Sequence, residues 1–248
     1  MTISPFSKFQ ILNGNTLKIF ASVCMLIDHI GMILLPQVEI LRVIGRLSMP
    51  IFAFFIAEGC KYTHDKANYL LFMATLGVAM MIVQYAFTGM FFGNILILFS
   101  LSILLIYVFQ KYKEVIFATK FDLNKQFIWL GLFLLTIIFC IVSCNILRVD
   151  YGFYGVMLAF FASLPNFRGI DAGILNRFDN LATRLAFWGL AMLALALDLG
   201  GTQIASLIAL LPLAMYNGQR GKIRLKYFFY IFYPTHIAIL YGIALLIR

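Results

Sequence analysis

LKIFASVCMLIDHIG, Leu17 to Gly31, has the apolar run of a membrane helix and also carries Lys18, Asp28 and His29. Its reading decides the fold, because runs of this kind recur along the whole chain. Of 248 residues, 63% are hydrophobic and 12% charged, with a mean hydropathy of +0.96. A soluble domain has roughly half apolar and a quarter charged residues. The chain is therefore read as an all-α, polytopic integral membrane protein whose runs are long enough to cross roughly 30 Å of hydrocarbon. The intervening loops are short, so residues 1–248 are read as a single transmembrane domain.

Outward from that first helix, polar punctuation delimits nine candidate helices, at about 17–35, 43–60, 67–88, 93–110, 127–146, 151–165, 182–198, 203–216 and 228–247. The two that begin at Tyr151 and Thr202 are short for a span, and are expected to tilt, re-enter or thin the bilayer. Lys and Arg gather in alternate loops: Lys8 and Lys18; Lys61 and Lys66; four lysines in 111–125; Arg168, Arg177 and Arg184; and Arg220, Lys222, Arg224 and Lys226. The intervening loops hold only Arg42 and Arg148. That alternation predicts a cytoplasmic N-terminus and, with nine helices, an outer C-terminus. The net charge of +9 is thereby read as topology rather than as affinity for nucleic acid.

Several chemistries lack their motifs. Cys24, Cys60, Cys140 and Cys144 lie in or at the ends of apolar runs, with no metal-ligand spacing, and are read as reduced, packed thiols; no metal is predicted. There is no H-E-x-x-H, C-x-x-C, Walker A or G-x-S-x-G pattern. Asp28 and His29 are unlike the apolar core of a cleaved signal peptide, so the first helix is expected to be retained. No internal repeat of the sort found in many transporters is visible.

An ionisable group at membrane depth costs at least a few kcal/mol on insertion scales, so it usually faces a partner or a water-filled cavity. Asp28, His29, Arg46, Glu58 and His236 lie within expected spans, with Arg148 and Asp150 at a boundary. On a helix, Lys18, Ser22, Met25 and His29 fall within about 60° of one another, and Lys18 and His29 are separated by roughly 16 Å along the axis. A cation at the cytoplasmic surface and an imidazole deep in the membrane suit a long, thin ligand with an anionic head and a reactive tail. The structural alternative is a surface anchor and a satisfied, buried histidine. Asp28 points about 100° away from His29, so it does not simply cap the same ring.

Arg46 lies between Gly45 and Pro50, which is expected to kink its helix; it needs a carboxylate, phosphate or carbonyl partner, and Asp28, Glu58 and Asp150 are the candidates. Glu58, just before Gly59, reads equally as an exposed helix-end residue. RVDYGFYGV, Arg148 to Val156, reads as an interfacial aromatic belt or as a mouth for an acceptor. KYFFYIFYPTHIAIL, Lys226 to Leu240, places Tyr233, Pro234 and His236 in the last helix.

Together LKIFASVCMLIDHIG, LRVIGRLSMPIFAFFIAEG, DYGFYGV and KYFFYIFYPTHIAIL resemble, over essentially the full chain and in order, the TraX family of bacterial membrane proteins. The shared pattern is DH, GR-x-x-x-P-I-F, E-G, D-Y-G-x-Y-G and F-Y-P-x-H. The resemblance implies a transmembrane acyltransferase in the bacterial inner membrane, since the family's founding activity is acetylation of the conjugative pilin N-terminus. It implies acetyl-CoA, or another acyl-CoA, as donor, and a pilin, peptide, glycan or lipid as acceptor, with no role for nucleic acid.

In the transmembrane acyltransferase superfamily, with which the TraX family is grouped, a basic residue, ten intervening residues and a histidine form a signature, matched here by Lys18 and His29. The resemblance thus implies that Lys18 contacts the CoA phosphates, that His29 is the catalytic base and that Asp28 supports it. Arg46 is assigned to a phosphate or to the thioester carbonyl. Asp150, Tyr151, Tyr154, His236 and Glu58 are assigned to the acceptor. An acyl-histidine that passes acetyl across the membrane is a second mechanism. The rival classes are a proton-coupled transporter of a small solute or lipid, using Asp28, His29 and Arg46, and a structural assembly factor whose intramembrane charges hold helices together.

Overall fold

The computed structural model describes residues 9–119, 121–223 and 225–247. Of the loop charges, Lys8, Lys120 and Arg224 lie outside the described residues, as does the side chain of Lys226. The described chain is all-α, with α1 Gly14–Ile33, α2 Glu39–Gly45, α3 Ser48–Tyr62, α4 Lys66–Thr88, α5 Ile95–Ile116, α6 Leu123–Ile146, α7 Gly152–Ser163, α8 Leu181–Leu199, α9 Leu210–Ala214 and α10 Lys226–Ile247. Two 3-10 segments, Gly173–Phe178 and Gly201–Ala209, complete it.

Among the described residues, 7 helical stretches are long and apolar enough to cross a membrane: α1, the α2 to α3 stretch Glu39–Tyr62, α4, α5, α6, α8 and α10 from Phe228. The two short segments expected from the sequence are α7, with 12 residues, and the stretch Gly201–Ala214. At about 1.5 Å per residue α7 reaches only ~18 Å, short of the hydrocarbon thickness.

Hydropathy set the helix centres, whereas Asx caps set their starts. The side chains of Asn13, Asp65, Asn94 and Asp122 accept from Thr16, Asn68, both Leu96 and Ile97, and Lys125 backbone N–H groups, at the N-caps of α1, α4, α5 and α6. Asn180 accepts from Thr183 N at the start of α8. Each cap satisfies N–H groups that the first turn leaves without an intrahelical partner. At the exposed Asp122 the Lys125 N–H holds the carboxyl below its ordinary range. Pro50 does not kink a helix interior as expected. The chain breaks between α2 and α3 at Arg46 and Leu47, and Pro50 lies in the first turn of α3, where no intrahelical N–H is needed.

The chain forms two compact units, one from its two ends up to Phe52 and from Met192 onward, the other from Ala53–Ala191. In the first, α1 packs on α2 and on α10. Lys18 lies over the Phe229 ring at 5.8 Å and His29 meets His236, so α1 and α10 run in the same direction. The start of α1 is tied to the loop before α10: Gly14 N donates to Gln219 O at 2.7 Å, Asn15 N to Arg220 O at 3.0 Å, and Asn15 Nδ2 to Ile223 O at 2.7 Å.

The second unit is built around α5, which packs against α4, α6 and α7. Gly77 lets α4 approach α5 until an added Cβ would meet Ile97 Cδ1 at 2.8 Å, and Asn94 Nδ2 donates to Gly77 O at 2.9 Å. Small residues and backbone-directed polar groups of this sort are how helices pack where burial from water offers no drive. Lys113, read as a loop charge, is buried in α5 and donates to Leu164 O at 3.0 Å and Asn166 O at 2.5 Å, the carbonyls that follow α7.

Candidate functional site

The site is assembled in the first unit by α1, α2 and α10. Lys18 and His29 lie on the same stripe of α1 because their separation is close to a whole number of turns; both face α10. Lys18 meets the ring of Phe229, and His29 Nδ1 lies 2.7 Å from His236 Nε2. The two imidazole centroids are 4.9 Å apart. Phe232 stacks on His236 at 4.7 Å, and Tyr233 lies 6.3 Å from His29, so an aromatic ring flanks each imidazole. His236 Nδ1 in turn lies 2.5 Å from Phe232 O, within its own helix.

Asp28 turns away from the imidazoles, as helix geometry requires, and meets α2. Arg42 Nη1 donates to Asp28 Oδ2 at 2.8 Å and to Asp28 O at 3.3 Å. Arg46, one turn further along, is within electrostatic reach of the same carboxylate, which matches one of its three expected partners. Arg42 was missed by the sequence reading, which treated it as an outer-loop charge. The signal that would have found it is its spacing from Arg46, which puts both guanidinium groups on one side of a helix.

Two glycines let α1 and α2 approach. A Cβ on Gly31 would meet Leu41 Cβ at 2.8 Å, and one on Gly45 would collide with Asp28 Cβ and Oδ1. Gly45→Ala is therefore expected to cost about 1–3 kcal/mol through overpacking and to separate Asp28 from Arg42. Thermal unfolding in detergent checks it against Gly131→Ala in α6, where an added Cβ meets nothing within 4 Å and the better helix former is expected to hold or raise stability. Asp28→Ala is expected not to rescue Gly45→Ala, because its own Cβ remains in the contact. Equal melting temperatures for the two glycine variants would contradict the close approach.

The sequence profile of the TraX protein family matches residues 13–244. The chain belongs to the TraX family. A probable fimbrial assembly protein, FimC of serogroup H1 in Dichelobacter nodosus, is 26% identical over 263 aligned positions, covering 95% of this chain and 94% of its own length. An uncharacterized protein of Rickettsia prowazekii is 36% identical over 95 positions, covering 38% of this chain and 37% of its own. No solved structure matches.

The other residues assigned through the TraX resemblance belong to the second unit. Glu58 is not an exposed helix end: its carboxylate is buried against Arg184 Nη1, with side-chain exposures of 12% and 7%. Asp150, Tyr151 and Tyr154 lie at the turn into α7. There Asp150 N donates to Gly93 O at 3.1 Å and Gly93 N to Leu147 O at 2.6 Å. Arg148 and Tyr151 adopt left-handed φ values of 47° and 63°, a conformation that L residues take up at a cost. Tyr154 is exposed. All four cysteines are free and buried, and no cluster of His, Cys, Asp and Glu suited to a metal occurs among the described residues.

Proposed function

We propose that this TraX protein is a membrane-embedded acyltransferase that moves an acetyl group from acetyl-CoA to a hydroxyl or amine acceptor. The observation that carries the reading is the pair Lys18 and His29, presented by one face of α1 to one neighbouring helix and separated by roughly 16 Å along the axis. CoA has phosphates at one end and a thioester at the other, joined by a long, narrow pantetheine arm, and the two residues match those ends in chemistry and in spacing.

Arg220 and Lys222 extend the cationic end. They belong to the loop that hydrogen-bonds the start of α1 and are exposed, so they supply charge for the phosphates beside Lys18. At the other end His29 takes a proton from the acceptor as its oxygen or nitrogen attacks the thioester carbon. The C–S bond breaks, the acyl group passes to the acceptor, and the thiolate regains a proton as CoA. Arg46 is close to Asp28 and therefore to the His29 end, which favours polarisation of the thioester carbonyl over phosphate binding. An acyl-histidine route differs in one step, attack by His29 itself, and a burst of CoA release without acceptor distinguishes it.

The fimbrial assembly relative favours a pilin-like acceptor in the bacterial inner membrane, with acyl-CoA entering from the cytoplasm. The test is transfer of label from radioactive acetyl-CoA in membranes that contain the protein. Lys18→Ala is expected to raise the KM for acetyl-CoA about tenfold at nearly unchanged kcat, the loss of one charge-assisted phosphate contact, while Lys18→Arg retains activity. Absence of any labelled product, together with a melting temperature indifferent to CoA, would overturn the reading in favour of transport.

A further inference from the structure

The histidine pair has a direction. A carbonyl oxygen only accepts hydrogen bonds, so the 2.5 Å contact between His236 Nδ1 and Phe232 O requires the proton to be on Nδ1. With both rings uncharged, His236 Nε2 is then bare, and the 2.7 Å contact to His29 Nδ1 requires that nitrogen to carry its proton and donate. The remaining nitrogen of the pair, His29 Nε2, is left with its lone pair. Among the described residues, Arg42 acts on His29, and the neighbouring Asp28 is engaged with Arg42 and within reach of Arg46.

We infer that His236 is a positioning residue that holds His29 in the tautomer with a bare Nε2, through the chain Phe232 C=O, His236 and His29. This rests on the acyltransferase reading and assigns its base to one atom. His236 was expected at the acceptor, but its two ring nitrogens are both engaged within the protein. The proton taken from the acceptor hydroxyl or amine arrives at His29 Nε2, and His236 Nε2 faces the opposite edge of that ring. The imidazolium charge is shared across the pair, while the Phe232 carbonyl offers no onward path, so the proton stays available for the departing CoA thiolate. Which nitrogen of an imidazole is active is commonly set by the hydrogen bond that the other one makes.

Nitrogen-15 spectroscopy of the full-length protein in lipid, with labelled histidine, tests this without reference to activity. The chain has 3 histidines, and the exposed His64 is removed as His64→Ala to leave the pair. Both Nδ1 atoms are expected protonated and both Nε2 atoms bare, with coupling across the N–H···N bond. A bare Nδ1 on either ring, or no coupling, would overturn the inference.

The functional arm uses His236→Leu and His236→Gln, whose Oε1 extends to the position of Nε2 and accepts as it does. The leucine variant is expected to lower kcat about a hundredfold at unchanged KM for acetyl-CoA, near the lower end of a general base's contribution, with glutamine restoring most of the loss. A leucine variant with wild-type kcat, or a glutamine variant as impaired as leucine while its melting temperature stays native, would contradict the role. If wild type transfers no acetyl group at all, the acyltransferase reading fails, and the nitrogen spectrum still decides the direction of the pair.

Discussion

His29→Ala is expected to lower kcat/KM for acetyl transfer by about 10²- to 10⁴-fold, the contribution of a positioned general base, or roughly 3–5 kcal/mol of transition-state stabilisation. The substitution removes His29 Nε2, the one nitrogen of the pair that no described residue engages. It also leaves His236 Nε2 without its hydrogen-bond partner, a buried loss worth about 1–3 kcal/mol, so a lower melting temperature accompanies the chemical defect. The two effects separate in His236→Leu, which is expected to disturb packing to a similar extent but to impair turnover less. Binding of CoA is expected to survive in His29→Ala, since Lys18 and the basic loop are untouched; stabilisation of the purified variant by CoA checks this. Wild-type turnover in a folded His29→Ala protein would end both the base and the acyl-histidine routes.

Arg184→Ala is expected to be the most damaging single change to the second unit, at about 3–5 kcal/mol. Arg184 pairs with Glu58, donates from Nε to Ala162 O at 3.2 Å and lies over Phe54 at 4.7 Å. Truncation removes this cation from the largely buried Glu58 carboxylate, so the ion pair that offset part of that charge's desolvation is lost. The same argument predicts a rescue: Arg184→Met with Glu58→Leu is expected to recover most of the loss, because a packed apolar pair often equals a buried ion pair. Unfolding of the three proteins in one detergent measures it. If the double variant is no more stable than Arg184→Ala, the cost comes from the Ala162 and Phe54 contacts rather than from the lost ion pair.

Much of this architecture was legible in one dimension. Hydropathy located every long helix, because a segment among lipids must satisfy its own backbone and present an apolar surface whatever its neighbours do. The Asx residues at positions 13, 65, 94, 122 and 180 mark helix starts more sharply than hydropathy, since capping involves only residues two or three places along the chain. The stripe of Lys18 and His29 is likewise a property of a single helix. So is the divergence of Asp28 from His29.

Partnership between helices was not legible. Glu58 and Arg184, Asp28 and Arg42, and His29 and His236 are each joined by how two helices rotate and slide against one another, which the pattern along either one leaves open. Arg42 and Arg184 looked like topology charges because the positive-inside pattern counts a cation without regard to whether it faces water or a buried carboxylate. His236 looked like a lone histidine for a related reason: its partner lies at the opposite end of the chain. The sequence alone determined a helical membrane protein and the cation and imidazole of α1. Only the tertiary structure decided which carboxylates Arg42 and Arg184 serve and that His29 meets His236, because those depend on contacts a few ångströms long between segments far apart in sequence.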